Sequence, residues 1–167
     1  MSVRRRPCTL VALTLALLAP GVVRAQASDE HAAVLAVTDS ALAAISRADF
    51  IAFTDFMLDS AVIFTAAERE GQVRVGFRRR AQDRAAVVAG TLTERGFRPV
   101  VHVSGPLAVV WLPYDFYRNG AWSHCGIDAF TLVKAEGRWR IATLAYTVAQ
   151  PPACEPHPDG APAGAGR

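Results

Sequence analysis

The residues best suited to transferring a proton gather around one predicted β-hairpin. Asn119-Gly120 is the strongest short-range signal for a two-residue type I′ turn, and runs rich in aromatic and β-branched residues flank it. Counting outward from this turn places Asp115 opposite His124. Because side chains alternate along a strand, every second residue shares a face. The residues expected together on one face are Trp111, Asp115, Tyr117, Trp122, His124 and Asp128.

Carboxylates and an imidazole among indoles and a phenol are typical of a concave pocket, which is apolar with a few convergent polar groups. Asp115 would orient the His124 imidazole and keep it basic. Asp128, beside Trp111, would have a pKa raised by its apolar surroundings. Asp115, His124 and Asp128 are therefore the candidate catalytic residues. The alternative is structural, with the Asp–His pair as a satisfied polar rung and the aromatic residues as plain core.

The next predicted hairpin turns at Glu136-Gly137 and pairs Phe130 with Thr143, which adds Thr143 to the same face. The candidate ligand-binding residues are Trp111, Tyr117, Trp122 and Thr143. A β-bulge in either hairpin would reverse this assignment of faces. The opposite face, a candidate contact for a homodimer, carries Val110, Leu112, Tyr114, Phe116, Cys125, Ile127 and Ala129.

Motifs for metals and cofactors are not found in the sequence. It has no Cys-x-x-Cys or His-x-x-x-His spacing, and the combination left open for a metal is Asp115, His124 and His102. No phosphate-binding loop or dinucleotide fingerprint occurs. We therefore expect neither a metal nor a cofactor.

The amino-terminal segment has the three-part layout of a secretory signal. A cluster of three arginines is followed by an apolar run over 8–23 and by small residues at Ala25 and Ala27. The run is shorter than the ~20 apolar residues of a membrane span. Residues 1–27 are thus predicted to be a cleaved signal peptide of a secreted or periplasmic protein, with an uncleaved anchor as the alternative. The sequence does not decide between Sec and twin-arginine export.

The basic charge of the chain comes from this segment. The whole sequence has 18 Lys and Arg against 15 Asp and Glu, and four of the arginines and none of the acids precede residue 28. The remainder has 14 basic and 15 acidic residues, a net charge of −1. Neither a nucleic-acid partner nor an anionic membrane surface is implied.

Two cysteines follow the predicted signal, Cys125 and Cys154. In an oxidising compartment an even pair indicates a disulfide, and two unpaired thiols are the alternative. Past Gln150 the chain is rich in proline and glycine, so residues 150–167 are predicted to be a disordered tail.

Between signal and tail, residues 28–149 are predicted to form one domain in which helices precede strands. Apolar residues at helical spacing follow Ser28, and Asp49 is positioned to cap a second helix. Residues 78–89 are rich in helix formers and predict a third. From Val100 onward the pattern has a period of two, which indicates strands. This order is typical of an α+β domain.

Particular segments of the domain resemble nuclear transport factor 2-like proteins of the SnoaL-like or lumazine-binding-like kind. The segment AEGRWRIATLAYT resembles the last hairpin of that family. The segment RADFIAFTDFMLDSAVIF resembles its passage from the second helix to the first strand. The resemblance implies a cone-shaped, curved antiparallel sheet packed against about three helices. That fold hosts isomerases, dehydratases, cyclases and binding modules, so it does not fix an activity.

Two functional classes remain open from the sequence. The first is an exported cone domain that holds a small apolar or aromatic ligand. The second is a cofactor-independent isomerase or lyase that uses Asp and His for acid–base chemistry. In both cases we expect a small-molecule ligand and a homodimer.

Overall fold

The computed structural model describes residues 20–166, with side chains from Ser28 onward except that of Arg69. Residues 1–19, which hold most of the predicted signal peptide, lie outside the described residues. Within the described range, no helix is both long and apolar enough to cross a membrane.

In the described part of the chain, three helices pack against a sheet: α1 (Pro20–Ser46), α2 (Phe50–Asp55) and α3 (Arg80–Arg84). The predicted apolar stripe of α1 is buried at Val34, Ala41 and Leu42. The α2 helix begins as expected, because the Asp49 carboxylate accepts a hydrogen bond from the Ala52 N–H at 2.9 Å.

The α3 helix has five residues, fewer than the predicted span over 78–89. Arg78 and Arg79 continue the preceding strand instead, where they pair with Ile63 and Val62. Strand pairing thus prevails over the helix propensity of this stretch, as tertiary contacts often do.

Seven strands form one curved, open sheet. They are β1 (Met57–Arg69), β2 (Gln72–Arg79), β3 (Leu92–Gly96), β4 (Val100–Ser104), β5 (Leu107–Arg118), β6 (Ala121–Ala135) and β7 (Arg138–Val148). Their order is β2-β1-β7-β6-β5-β3, and β4 also pairs with β5. All pairs are antiparallel except β1 with β7, so the curved, mostly antiparallel sheet expected from the resemblance is confirmed.

The first predicted hairpin forms, but a bulge changes its register. Asn119 and Gly120 both have positive φ, and Tyr117 pairs with Trp122 as expected. The next pair is Phe116 with His124, so Ser123 is an extra residue on β6. From this point each β5 residue meets a partner one position beyond the predicted one, which exchanges the faces of β5 relative to β6.

A second bulge has the same effect on β7. Leu132 pairs with Ile141 as predicted, whereas Thr131 pairs with Thr143, so Ala142 is the extra residue. Thr143 therefore lies on the side opposite to Ile141 and Leu144.

We call the side of the sheet that packs on the helices the inner face and its opposite the outer face. The inner face carries the core residues Val110, Leu112, Phe130, Leu132, Ile141 and Leu144. Val110 and Leu112 are 0% and 3% exposed, which corrects their predicted place in a subunit contact.

The tail follows the outer face, held by a disulfide between Cys125 and Cys154 whose Cα atoms are 6.1 Å apart. This is the cysteine pair expected from the sequence. Arg95 Nη2 donates to the Gly160 carbonyl at 2.7 Å, and the His157 ring lies 5.1 Å from that of Phe97. The disulfide and these contacts hold the tail at Cys154, His157 and Gly160. The disorder expected from its composition stays a prediction.

Candidate functional site

A cavity of about 250 Å³ opens between the helices and the inner face of the sheet. Its apolar wall comes from α1, α2 and the sheet, through Ile45, Phe50, Phe53, Leu92, Phe116 and Leu144. Its polar groups are Arg78, Asp83, Glu94, Tyr114, Arg118, His124, Asp128 and Tyr146. An apolar cavity with a few convergent polar groups is the usual form of a small-molecule site.

Two carboxyl groups meet inside this cavity. The side chains of Glu94 and Asp128 lie within reach of a mutual hydrogen bond, which requires that at least one of them carries a proton. Burial raises the pKa of both, and for Asp128 the neighbouring Glu94 raises the pKa further. Asp128 is 1% exposed, and its Oδ2 has no hydrogen-bond partner among the described residues. This unpaired oxygen is itself buried, in a residue that lines the cavity.

The backbone of Glu94 is fixed by the end of α1. The Glu94 N–H donates to Ser46 Oγ at 2.8 Å, and the Ser46 hydroxyl donates to the Glu94 carbonyl at 3.1 Å. These two bonds hold β3 against the helix. They orient the Glu94 side chain towards the interior of the cone.

Tyr114 lies close to the carboxyl pair. Its hydroxyl donates to the Thr147 carbonyl at 2.8 Å, and burial followed by the charges of Asp128 and Glu94 raises its pKa. Gly126 makes room for this bond, because a Cβ at that position would collide with the Thr147 carbonyl. A glycine inside a strand often marks such a close approach.

His124 forms part of the aromatic wall. Its ring stacks on Phe116 with centroids 4.7 Å apart and meets Tyr114 edge-on at 5.9 Å. Burial lowers its pKa, so the imidazole is neutral at pH 7. Its Nδ1 lies 3.0 Å from the hydroxyl of Ser123, the bulged residue. A neutral imidazole can accept a proton or donate a hydrogen bond, depending on its tautomer.

An ion pair closes the cavity near α3. Arg78 binds both carboxylate oxygens of Asp83, at 2.6 and 3.2 Å, and also donates to the Tyr146 hydroxyl at 3.2 Å. Asp83 is buried, and the pair links α3 to the sheet. Arg78 therefore lies at the end of β2, and not in the helix that the sequence predicts over 78–89.

The structure brings two of the three candidate catalytic residues into the cavity, His124 and Asp128. Asp115 lies on the outer face opposite Cys125, where it is 1% exposed and bonded to Arg95 through both oxygens. The predicted Asp115–His124 pair is therefore wrong, because the bulge at Ser123 moves Asp115 to the other side. A metal site from these two residues and His102 is wrong for the same reason.

The predicted ligand-binding residues also lie outside the cavity. Trp111 is 51% exposed on the outer face, and Tyr117 stacks on Trp122 with ring centroids 6.3 Å apart, on the side that the tail covers. Thr143 pairs with Thr131 on the outer face. The two bulges account for Trp111 and Thr143. Tyr117 and Trp122 do pair, but on the face opposite to His124.

Sequence reasoning missed Glu94, Tyr114 and the Arg78–Asp83 pair. Glu94 belongs to β3, whose alternation of Leu92, Glu94 and Gly96 is the signal that could have revealed a strand. Tyr114 was placed on the wrong face by the predicted register.

Comparison with known proteins bears on the fold. No family model matches the chain, and no curated protein matches it. The structure is similar to an NTF2-like protein with a cystatin-like fold from Novosphingobium aromaticivorans, with 14% identity and a TM-score of 0.63 over 83% of this chain and 94% of that chain. It is also similar to an NTF2-like protein from Silicibacter pomeroyi, with 22% identity and a TM-score of 0.53 over 74% of this chain and 98% of that one.

A third similar structure is a ketosteroid isomerase-like protein from Erwinia carotovora atroseptica. It has 18% identity and a TM-score of 0.52 over 72% of this chain and 96% of that chain. Identities this low establish a shared architecture and leave the activity open. The chain therefore has the nuclear transport factor 2-like fold, the α+β cone that its sequence resembles.

Proposed function

We propose that the cavity binds a small, largely apolar molecule that carries an oxygen acceptor such as a carbonyl. The observation that carries this proposal is the Glu94–Asp128 pair, whose raised pKa values keep both carboxyl groups protonated against an apolar wall below about pH 8. A buried donor without a ligand partner favours molecules that accept its hydrogen bond, since an unsatisfied polar group costs about 1–3 kcal/mol.

Acetylnaphthalene and ethylnaphthalene, which share a shape and differ by one carbonyl, test this proposal by calorimetry. We expect the ketone to bind more tightly at about pH 6 than at about pH 9, because burial raises the pKa of Glu94 to about 8. Above that value the Glu94 carboxylate accepts the hydrogen bond of the Asp128 carboxyl group, so the pair no longer offers a donor to the ketone. Asp128→Asn keeps a donor at every pH, so its preference for the ketone should not vary with pH. Equal binding of both probes by the parent at all pH values would contradict the proposal.

A second candidate function is proton transfer by a cofactor-independent isomerase or lyase. Its supporting observation is the same pair, because a group with a pKa near neutrality can both remove and return a proton. Such a carboxylate would take a proton from the carbon next to a carbonyl and return it to another carbon, with neutral His124 nearby as a further acceptor. One similar structure is named ketosteroid isomerase-like, which is compatible with this candidate.

Hydrogen–deuterium exchange separates the two candidates. In heavy water, an enzyme should exchange the acetyl protons of bound acetylnaphthalene faster than buffer does, and Glu94→Gln should abolish the excess rate. Asp115→Asn on the outer face is the matched control and should exchange like the parent. Binding without exchange would assign the chain to the binding modules.

We also propose that the protein is exported and works outside the cytoplasm. The predicted signal over 1–27 and the disulfide between Cys125 and Cys154 support this location. Amino-terminal sequencing of protein from a native-like host should begin at Gln26 or Ser28. An intact Met1 on the folded, oxidised protein would contradict it.

A homodimer is proposed on the outer face of the sheet. Phe64, Val75 and Trp111 line a shallow apolar groove there and are 40%, 71% and 51% exposed. Exposed apolar patches of this kind usually mark an interface. The groove keeps Ile127 and Ala129 of the face first predicted, whereas the predicted residues of β5 lie on the inner face.

A further inference from the structure

One arginine of the cavity has no acidic partner among the described residues. Arg78 is neutralised by Asp83, whereas Arg118 forms neither an ion pair nor a side-chain hydrogen bond within residues 28–166. Arg118 is exposed at the mouth of the cavity. An unpaired guanidinium beside an apolar cavity is suited to a carboxylate, which it can bind through two parallel hydrogen bonds.

The position of Arg118 is set by the sheet. It is the last residue of β5 and pairs with Leu92 of β3, whose buried side chain also lines the cavity. Alternation along β5 places Phe116 and Tyr114 next on the same face, towards the interior. The tight turn at Asn119-Gly120 fixes the end of this strand, so Arg118 sits on a rigid element.

The distance to the carboxyl pair suits a small molecule with two recognised ends. Glu94 pairs with Phe116, so it is a diagonal neighbour of Arg118 at about 7–8 Å on the same face. Glu94 is engaged by Asp128 and forms no ion pair with Arg118. The cavity therefore has a hydrogen-bonding end at Glu94–Asp128 and a cationic end at Arg118, with apolar side chains between them.

We infer that the ligand of this cavity is an apolar acid, whose uncharged oxygen meets the Glu94–Asp128 pair and whose anionic group meets Arg118. This inference rests on the proposed function and specifies its ligand class. Arg118 is then the residue that selects acids over neutral molecules of the same shape. Arg118 binds the anionic group at the mouth, and the apolar side chains of the interior contact the rest of the ligand.

The test compares an acetylnaphthoate with the acetylnaphthamide of the same substitution pattern, by calorimetry at neutral pH. Both carry the ketone for the carboxyl pair, and only the first carries an anionic group. We expect the parent to bind the acid about tenfold more tightly, the effect of one charge-assisted hydrogen bond. Arg118→Gln should remove this advantage and leave the amide's affinity unchanged, and Arg118→Lys should retain part of it.

Two control variants make the result specific. Arg74→Gln removes an exposed arginine of β2 that does not line the cavity, and it should behave like the parent. Val88→Trp fills the cavity from a loop residue of its wall, and it should abolish binding of both probes. The part of the binding that Val88→Trp removes is the part assigned to the cavity.

The outcomes separate this inference from the proposal on which it rests. If the amide binds in the cavity but the acid binds no better, or keeps its advantage in Arg118→Gln, the role of Arg118 is overturned and the cavity function stands. If Val88→Trp removes binding of neither probe, or neither binds, the cavity function fails and the inference fails with it. An acid preference lost in Arg118→Gln and kept in Arg74→Gln supports the inference.

Discussion

The carboxyl groups of Glu94 and Asp128 meet inside the cavity although β5 lies between their strands, β3 and β6. The curved sheet lets side chains from non-adjacent strands converge on its concave side. Ser46 anchors the Glu94 backbone to α1. Because two carboxylates cannot both be charged at hydrogen-bonding distance, the pair holds a proton.

This pair should make the protein less stable as pH rises. Burial raises the pKa of Glu94 from 4.5 to about 8, so between these values the unfolded chain releases a proton that the folded chain retains. The contribution of Glu94 to the free energy of unfolding therefore falls through that window and no further above it. Glu94→Gln removes this titration and can donate its amide to Asp128. Its thermal midpoint should exceed that of the parent at about pH 8, by about 2–4 °C for each 1 kcal/mol.

Glu68→Gln is the matched control, because Glu68 is exposed on β1. It should follow the parent at each pH in a series of thermal melts. A parent and a Glu94→Gln variant whose midpoints run parallel across the window would show that the pair does not hold a proton.

The disulfide should stabilise both the fold and the tail. On the chain-entropy model, closing a loop of this length adds about 3–4 kcal/mol. Cys154→Ser should lower the free energy of unfolding by about that amount and expose the Asp159–Gly160 peptide bond to a protease that cleaves after acidic residues. Reductant should have the same effect on the parent. Peptide mapping without reductant should recover Cys125 linked to Cys154, and two alkylatable thiols in folded protein would contradict the bond.

The strands of the cone could be predicted where local signals are strong. The turn at Asn119-Gly120 and the capping Asp49 follow from chemistry within a few residues, and both form as predicted. The bulge at Ser123 has no such local signal, because it depends on which side chains fit the core. One inserted residue was enough to exchange Trp111 and Asp115 for Leu112 and Tyr114 on the inner face.

The chemistry of the candidate site could therefore be predicted from the sequence better than the set of residues that forms it. A carboxylate of raised pKa was expected at Asp128 and is present. Its partner, Glu94, is more than thirty residues away in the chain on a short strand with a weak pattern. No local rule pairs two acids at that separation, since only the folded sheet brings them together.

Substitution on the outer face should test the proposed homodimer. Val75→Glu places a charge in the apolar groove and should convert a dimer into a monomer by light scattering at micromolar concentration, since a buried unpaired charge is strongly unfavourable. Val87→Glu is the control, because Val87 is 96% exposed and lies outside the groove. A parent that is monomeric at all concentrations, or a Val75→Glu variant that remains a dimer, would count against this face.

Substitution of two equally buried aspartates should have opposite effects on stability and on ligand binding. Asp115 and Asp128 are each 1% exposed, but the first binds Arg95 on the outer face and the second faces the cavity. Asp115→Asn leaves the Arg95 charge without its partner and should lower the free energy of unfolding by about 3 kcal/mol, the usual cost of breaking a buried pair. It should leave the affinity for acetylnaphthalene unchanged.

Asp128→Asn should do the reverse, because the neutral amide replaces a carboxyl group that is costly to ionise in its buried position. Its thermal midpoint at about pH 8 should equal or exceed that of the parent, while the pH dependence of ketone binding disappears. Thermal melts and calorimetry on both variants provide the comparison. If Asp115→Asn lost ligand binding at full stability, Asp115 would act in the site and the face assigned to it would be wrong.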